Sequence, residues 1–272
     1  QCTFCYHSLG SKYRTRSIDN VMEEIRIAIK KYNINCLMIY DDLFSLNKER
    51  LYEFCEKIKK EFDFANKKVS WGCQLSVINV DEEMVKKVKE SGGNLLSFGF
   101  ESFNIKVLKS MRKPITPQQI DKALKLTLKN QMAIQANFIF GDVAETKETA
   151  YETLNYWKKE CKGQISLDFI QPYPGSEIYR HCIKKGLIKD KLEFIKNIGT
   201  RYFLNMTDSM TDSEINKLKE DILKFSVKYR YYSIPNKIKK DKNGKYLLKV
   251  KCPFCKEFIN YKNFRINNKY YF

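Results

Sequence analysis

The sequence predicts an α/β domain built on parallel strands, followed by a smaller module of different character. Three observations carry this. Short apolar runs alternate with stretches of helical period from the start of the chain to about residue 185, the pattern of βαβ units. Polar or glycine-bearing residues follow the apolar runs at Asp41-Asp42, Glu101-Ser102, Gly141-Asp142 and Gln171 to Gly175. The carboxyl ends of parallel strands are where such folds hold ligands. Beyond residue 185 both patterns stop.

The elements follow in order. Val21, Ile25, Ile29 and Tyr32 mark a helix over 18–32, with Ser17 or Asp19 as its cap. The run from Cys36 to Tyr40 reads as a strand, then a helix over 48–62, a strand over 69–75 and a helix over 81–90, broken by Gly92-Gly93. A strand over 95–100 leads to helices at 104–111 and 117–130. A strand at 133–140, a helix at 146–161 and a strand at 165–170 come next, and Pro174-Gly175 turns the chain into a helix through Lys185. Further on, 212–232 reads as one long amphipathic helix and 237–244 as a charged turn. The aromatic, basic segment 246–272 holds Cys252-Pro253-Phe254-Cys255. The expected domains are 1–190, a helical extension over 191–240 and a small module over 241–272.

Composition bounds the function. With 43% hydrophobic residues the chain is a folded domain, and no apolar run reaches the roughly 18 residues of a membrane span. It opens on Gln1-Cys2 without a secretory signal or an initiator Met, so the sequence is expected to begin partway through a longer protein. The formal net charge is +18, and 13 Lys and Arg against 2 acidic residues fall within 228–272. Lysine-rich solvated faces account for most of the charge. Nucleic-acid contact by the basic tail is the less favoured alternative, since no recognition motif accompanies it. Nine cysteines without a secretory signal point to a reducing, cytoplasmic setting. Cys36, Cys55, Cys73, Cys161 and Cys182 stand singly and read as small core residues. Cys2 with Cys5, and Cys252 with Cys255, form two C-x-x-C pairs.

Two thiolates three positions apart on a loop suit an iron–sulfur cluster, a zinc knuckle or a pair of buried thiols. Cys2-Thr3-Phe4-Cys5-Tyr6-His7, followed by a helix opening at Ser17, resembles the end of the C-x-x-x-C-x-x-C loop of the radical S-adenosylmethionine superfamily. Tyr40-Asp41-Asp42 resembles the form found in the subgroup often fused to a cobalamin-binding domain, although the usual Gly-Gly-Glu is absent. The segments 97–102 (Ser-Phe-Gly-Phe-Glu-Ser), 137–142 (Asn-Phe-Ile-Phe-Gly-Asp) and 171–179 (Gln-Pro-Tyr-Pro-Gly-Ser-Glu-Ile-Tyr) resemble the motifs ending that family's fourth, fifth and sixth strands.

The resemblance covers about 1–190 and implies a (β/α)6 TIM-like barrel whose first strand lies before Gln1. It implies Cys2 and Cys5 as the second and third ligands of a [4Fe–4S] cluster, with the first four residues ahead of Cys2. It also implies S-adenosylmethionine on the open iron and cobalamin from an upstream domain. Asp41 and Asp42 would meet the cofactor's ammonium, Glu101 with Ser102 its ribose or methionine part, and Gly141 its adenine. Phe4 and Tyr6 would either shield the cluster or fill the mouth of the barrel. The substrate and catalytic residues stay unassigned, and an electron donor is the one partner implied. Cys252 and Cys255 read as half of a zinc ribbon whose second pair would follow Phe272, or as two spare thiols. Two readings compete: a radical enzyme that modifies RNA, held by the basic tail, and a non-catalytic zinc and nucleic-acid binding protein.

Overall fold

The structure, a computed structural model, describes all residues except 1, 7–9, 11–12, 45, 65–68, 162, 199–202, 232, 254–255 and 265–272. The chain divides into two compact units, 1–227 and 228–272.

In the first unit five strands, β1 (Cys36–Ile39), β2 (Ser70–Gln74), β3 (Gly93–Glu101), β4 (Ala133–Phe140) and β5 (Ser166–Phe169), pair in sequence order. Every pairing is parallel. Crossovers run through α1 (Ile18–Tyr32), α2 (Lys48–Phe64), α3 (Glu82–Glu90), α4 (Ile105–Ser110), α5 (Pro117–Lys129) and α6 (Lys147–Glu160). After β5 come α7 (Glu177–Lys184), α8 (Lys191–Asn197) and α9 (Asp212–Tyr229). Side-chain oxygens set the helix starts. Ser17 accepts from the Asn20 amide, Asp81 from Met84, and Thr116 forms a reciprocal capping box with Gln119.

Burial along β4 alternates strictly, with Ile134, Ala136, Phe138 and Phe140 buried and Ala133, Gln135 and Asn137 exposed. Apolar residues of α5 and α6, among them Ile120, Leu124, Leu154 and Trp157, are buried with the first set. β4 therefore has one face covered by the helices and one open face. Indole N–H groups tie helices to strand ends, Trp71 donating to Ser91 O at 2.9 Å and Trp157 to Ile165 O at 2.7 Å.

The elements expected up to residue 185 form, and two local readings change. Cys36 is exposed while Cys55, Cys73, Cys161 and Cys182 are buried, because Cys36 opens β1, which has a neighbour on one side only. The first half of the charged turn expected over 237–244 is a strand. The second unit is an antiparallel sheet of β6 (Pro235–Lys240), β7 (Tyr246–Lys251) and β8 (Phe258–Phe264). Only 241–244 turns, closed by Asp241 N–H donating to Lys245 O at 2.7 Å and by Gly244 at φ +74°. The lysines of β6 face solvent and leave Ile238 as its single apolar signal, which is why the strand was hidden. The expected return strand at 269–272 lies outside the described residues.

Candidate functional site

The Cys2–Cys5 loop is pinned from both sides. Thr3 N–H donates to Met111 O at 3.1 Å, and Ile178 N–H donates to Thr3 O at 3.0 Å. The loop therefore bridges the end of α4 and the start of α7. Cys5 N–H turns back onto Cys2 O at 3.2 Å, which holds the two thiols on one turn. Phe4 packs against the buried cluster of Val107, Met111, Ile178 and Tyr179. Tyr6 lies across Gly175, where an added Cβ would come within 2.5 Å of the ring. Gly175 also sits at φ +92°, so this turn requires glycine twice over.

A hydrogen bond from the Cys5 thiol lowers Cys2 to about 6, and the nearby Lys113 ammonium adds to this. The same bond and burial push Cys5 up. The bond and the ammonium both favour the thiolate at Cys2, the form that binds metals. In kind, these two donors fit an iron–sulfur cluster. Among the described residues no group of three metal-ligating side chains converges.

Glu101 and Lys113 stand beside the thiols, close enough to act on both electrostatically. β3 carries an irregularity between Gly99 and Glu101, and Glu101 adopts φ +63°. That kink turns the carboxylate back over Gly99, where it accepts from Lys113 Nζ at 2.8 Å. A Cβ on Gly99 would meet Glu101 Oε1 at 2.4 Å and Lys113 Nζ at 2.6 Å. The next residue, Ser102, is buried; its hydroxyl lies 3.3 Å from Thr153 Oγ1 and accepts from the Asn104 amide at 3.2 Å.

At the end of β4, Gly141 takes φ +93° and donates its N–H to Glu145 Oε2 at 2.5 Å. Its Cβ position would have only ordinary contacts with Phe169 and Phe203, so the backbone angle is what demands glycine. Glu145 is fully buried, Oε1 has no hydrogen-bond partner, and burial pushes its carboxyl up to about 8. Burial also raises Asp142, against hydrogen bonds from Ser110 and from the amides of Ala144 and Val143. Asp41 and Asp42 lie exposed just past β1, with no ion pair among the described residues.

The structure thus brings Cys2, Cys5 and Glu101 together, sets Phe4 into the packing below them, and leaves Asp41 and Asp42 at a different strand end. Lys113, Glu145 and the bidentate Arg112–Glu177 pair (2.7 and 2.8 Å) escaped the sequence reading. A lone Lys or Glu in a chain so rich in both gives no signal by itself. Cys255 and His7 lie outside the described residues. Cys252 begins a tight turn in which its N–H donates to Glu257 O at 2.8 Å and Lys256 N–H donates to Cys252 O at 3.1 Å. No helix among the described residues is long and apolar enough to cross a membrane.

An uncharacterised methyltransferase of Pyrococcus horikoshii is 32% identical over 189 residues, covering 69% of this chain and 40% of the relative. The anaerobic magnesium-protoporphyrin IX monomethyl ester cyclase of Rubrivivax gelatinosus is 26% identical over 202 residues, 72% of this chain and 36% of the relative. The chain thus spans well under half the length of these curated relatives. The radical S-adenosylmethionine methyltransferase TsrM of Kitasatospora setae, solved with cobalamin and a [4Fe–4S] cluster, shares the fold at TM-score 0.61 and 14% identity, covering 67% of this chain and 35% of that one. The profile of the Radical SAM superfamily matches residues 1–156, more than half of the sequence, and the chain belongs to that superfamily of enzymes.

Proposed function

We propose that this chain forms the S-adenosylmethionine-binding barrel of a methyltransferase-type radical enzyme that works with cobalamin. One observation carries the reading: the Cys2–Cys5 loop is clamped between α4 and α7 with the Glu101–Lys113 pair beside its thiols. In this reading Cys2 and Cys5 ligate a [4Fe–4S] cluster, and a cysteine four residues ahead of Cys2 completes the set. When bound, the cluster and S-adenosylmethionine supply a 5′-deoxyadenosyl radical, at the expense of one electron from a donor protein.

The chain's own residues bind and orient. Glu101, held rigid by Lys113, receives hydrogen bonds from the ribose or the methionine part, with Ser102 fixing the turn behind it. Gly141, set by Glu145, presents backbone to the adenine. Asp41 and Asp42 offer carboxylates to the methionine ammonium. Phe4 closes the underside of the loop against water. We assign 1–190 to the barrel and 191–227 to a helical extension, start the zinc-ribbon module at 228, where the second unit and its sheet begin, instead of the expected 241, and place the enzyme in the cytoplasm. The methyltransferase relative and the fold shared with TsrM support the cobalamin assignment. Gel filtration of the complete protein with cobalamin tests it. The visible absorbance of cobalamin should travel with the protein, and protein that emerges colourless would remove cobalamin from the account.

A further inference from the structure

Four lysines of the second unit share one face of its sheet, while Lys240 stands opposite Tyr246 on the other. Residues directly opposite in an antiparallel pair share a face. Lys237 stands opposite Lys249, Lys239 opposite Leu247, Lys249 opposite Asn260 and Lys251 opposite Phe258. Lys237, Lys239, Lys249 and Lys251 therefore share one face with Leu247, Phe258 and Asn260. On the other face Ile238 meets Leu248, Leu248 meets Tyr261, and Val250 meets Ile259. All four lysines are exposed, and among the described residues none pairs with an acid.

This arrangement costs the sheet something. Like charges directly opposite one another across two strands repel, and Lys237 and Lys249 are so placed. An anion lying on the face would relieve that. Phe258, 49% exposed, adds a second element. Lys249 Nζ stands 4.5 Å and Lys251 Nζ 5.9 Å from its ring centroid. An exposed ring flanked by ammonium groups combines a stacking platform with phosphate contacts, the pairing by which single-stranded nucleic acids are held. Lys249 and Lys251 are one same-face step apart, about 6.6–6.8 Å.

We infer that this face binds single-stranded RNA. Three strands are too broad for the major groove of a DNA duplex, which admits a helix or a two-stranded ribbon. Unstacked bases able to lie on Phe258 are the ordinary state of RNA loops and ends. A membrane surface would call for apolar side chains on the charged face, whereas most of those in this sheet lie on the opposite one.

Fluorescence anisotropy of the 272-residue chain with a labelled oligouridylate of about 12 nucleotides tests this. Four phosphate contacts to a single strand predict a log–log salt slope of about −2.8, a loss of about 50-fold between about 50 and 200 mM salt. Replacing Lys237, Lys239, Lys249 and Lys251 by Gln should remove that slope and most of the affinity, while replacing all four by Arg should keep both. Phe258→Ala should weaken binding about 5- to 150-fold at unchanged slope. Replacing Lys30, Lys60, Lys86 and Lys122 of the first unit by Gln should leave binding intact. Equal loss in the two Gln variants would overturn the inference. So would tighter binding of oligodeoxythymidylate, or capture by phosphatidylserine vesicles at a salt concentration that releases the RNA.

Discussion

Lys113 Nζ donates to Glu101 Oε1 at 2.8 Å directly above Gly99, at a spot where even a methyl group would collide with both. The side chains are only 19% and 10% exposed, so the pair is largely withdrawn from water. One kink in β3 accounts for the arrangement. It places Glu101 at φ +63° and returns its carboxylate to the strand end, where it acts electrostatically on both thiols.

Lys113→Met should cost about 3 kcal/mol, because it leaves a buried carboxylate without its counter-charge. Adding Glu101→Gln should recover most of that loss. Urea denaturation of the two single variants and the double variant measures the coupling, and strict additivity would show that the two groups do not depend on each other.

Glu101→Ala should weaken S-adenosylmethionine binding about 10- to 150-fold, the effect of losing a charged hydrogen bond of about 1.5–3 kcal/mol. Iron content should stay at the wild-type level, since no ligand is touched. Equilibrium dialysis of the cluster-loaded complete protein gives the ratio, and an unchanged dissociation constant would confine Glu101 to a structural role.

Glu145 ties stability to pH. Its folded value of about 8 lies above the ordinary 4.5, so between these values the native state holds a proton that the unfolded chain has released. Stability from this group is therefore full below about 4.5 and is lost as pH rises through about 8. Glu145→Gln keeps an acceptor for the Gly141 amide and removes the titration. Its urea midpoint should change less than that of the wild type between pH 5.5 and 8. Parallel pH profiles for the two proteins would rule out a buried acid at this position.

Much of this architecture was legible before any coordinates. The strands and helices up to residue 185 announce themselves because each buries one regular face, as the strict alternation in β4 shows. Ser17 could be read as a cap from its place before the apolar period, and Cys2 and Cys5 from their spacing. Lys113 and Glu145 could not be read so, because their partners depend on a strand irregularity and on a backbone angle at Gly141. β6 was hidden for a different reason. Lysines alternating with one isoleucine look like a turn until β7 supplies the other half of the pairing.

The Cys252 turn bears on the tail. One C-x-x-C turn supplies two zinc ligands of the usual four, and Cys252 N–H donates to Glu257 O at 2.8 Å. The complete protein should carry zinc that is lost when Cys252 and Cys255 are both replaced by Ser. Metal content that is nil, or the same in the double variant, would end the zinc assignment.

Reductive cleavage of S-adenosylmethionine is the most direct test of the central claim. The chain, extended to include the cysteine expected four residues ahead of Cys2, would be reconstituted anaerobically with iron and sulfide, reduced, and assayed for 5′-deoxyadenosine by chromatography. Wild-type protein should bind one four-iron cluster in the barrel and release 5′-deoxyadenosine. Cys2→Ala and Cys5→Ala should each abolish both, because two remaining thiolates cannot hold the cluster with one defined open iron. Wild-type yields of 5′-deoxyadenosine from either variant would contradict the assignment of these two cysteines as cluster ligands.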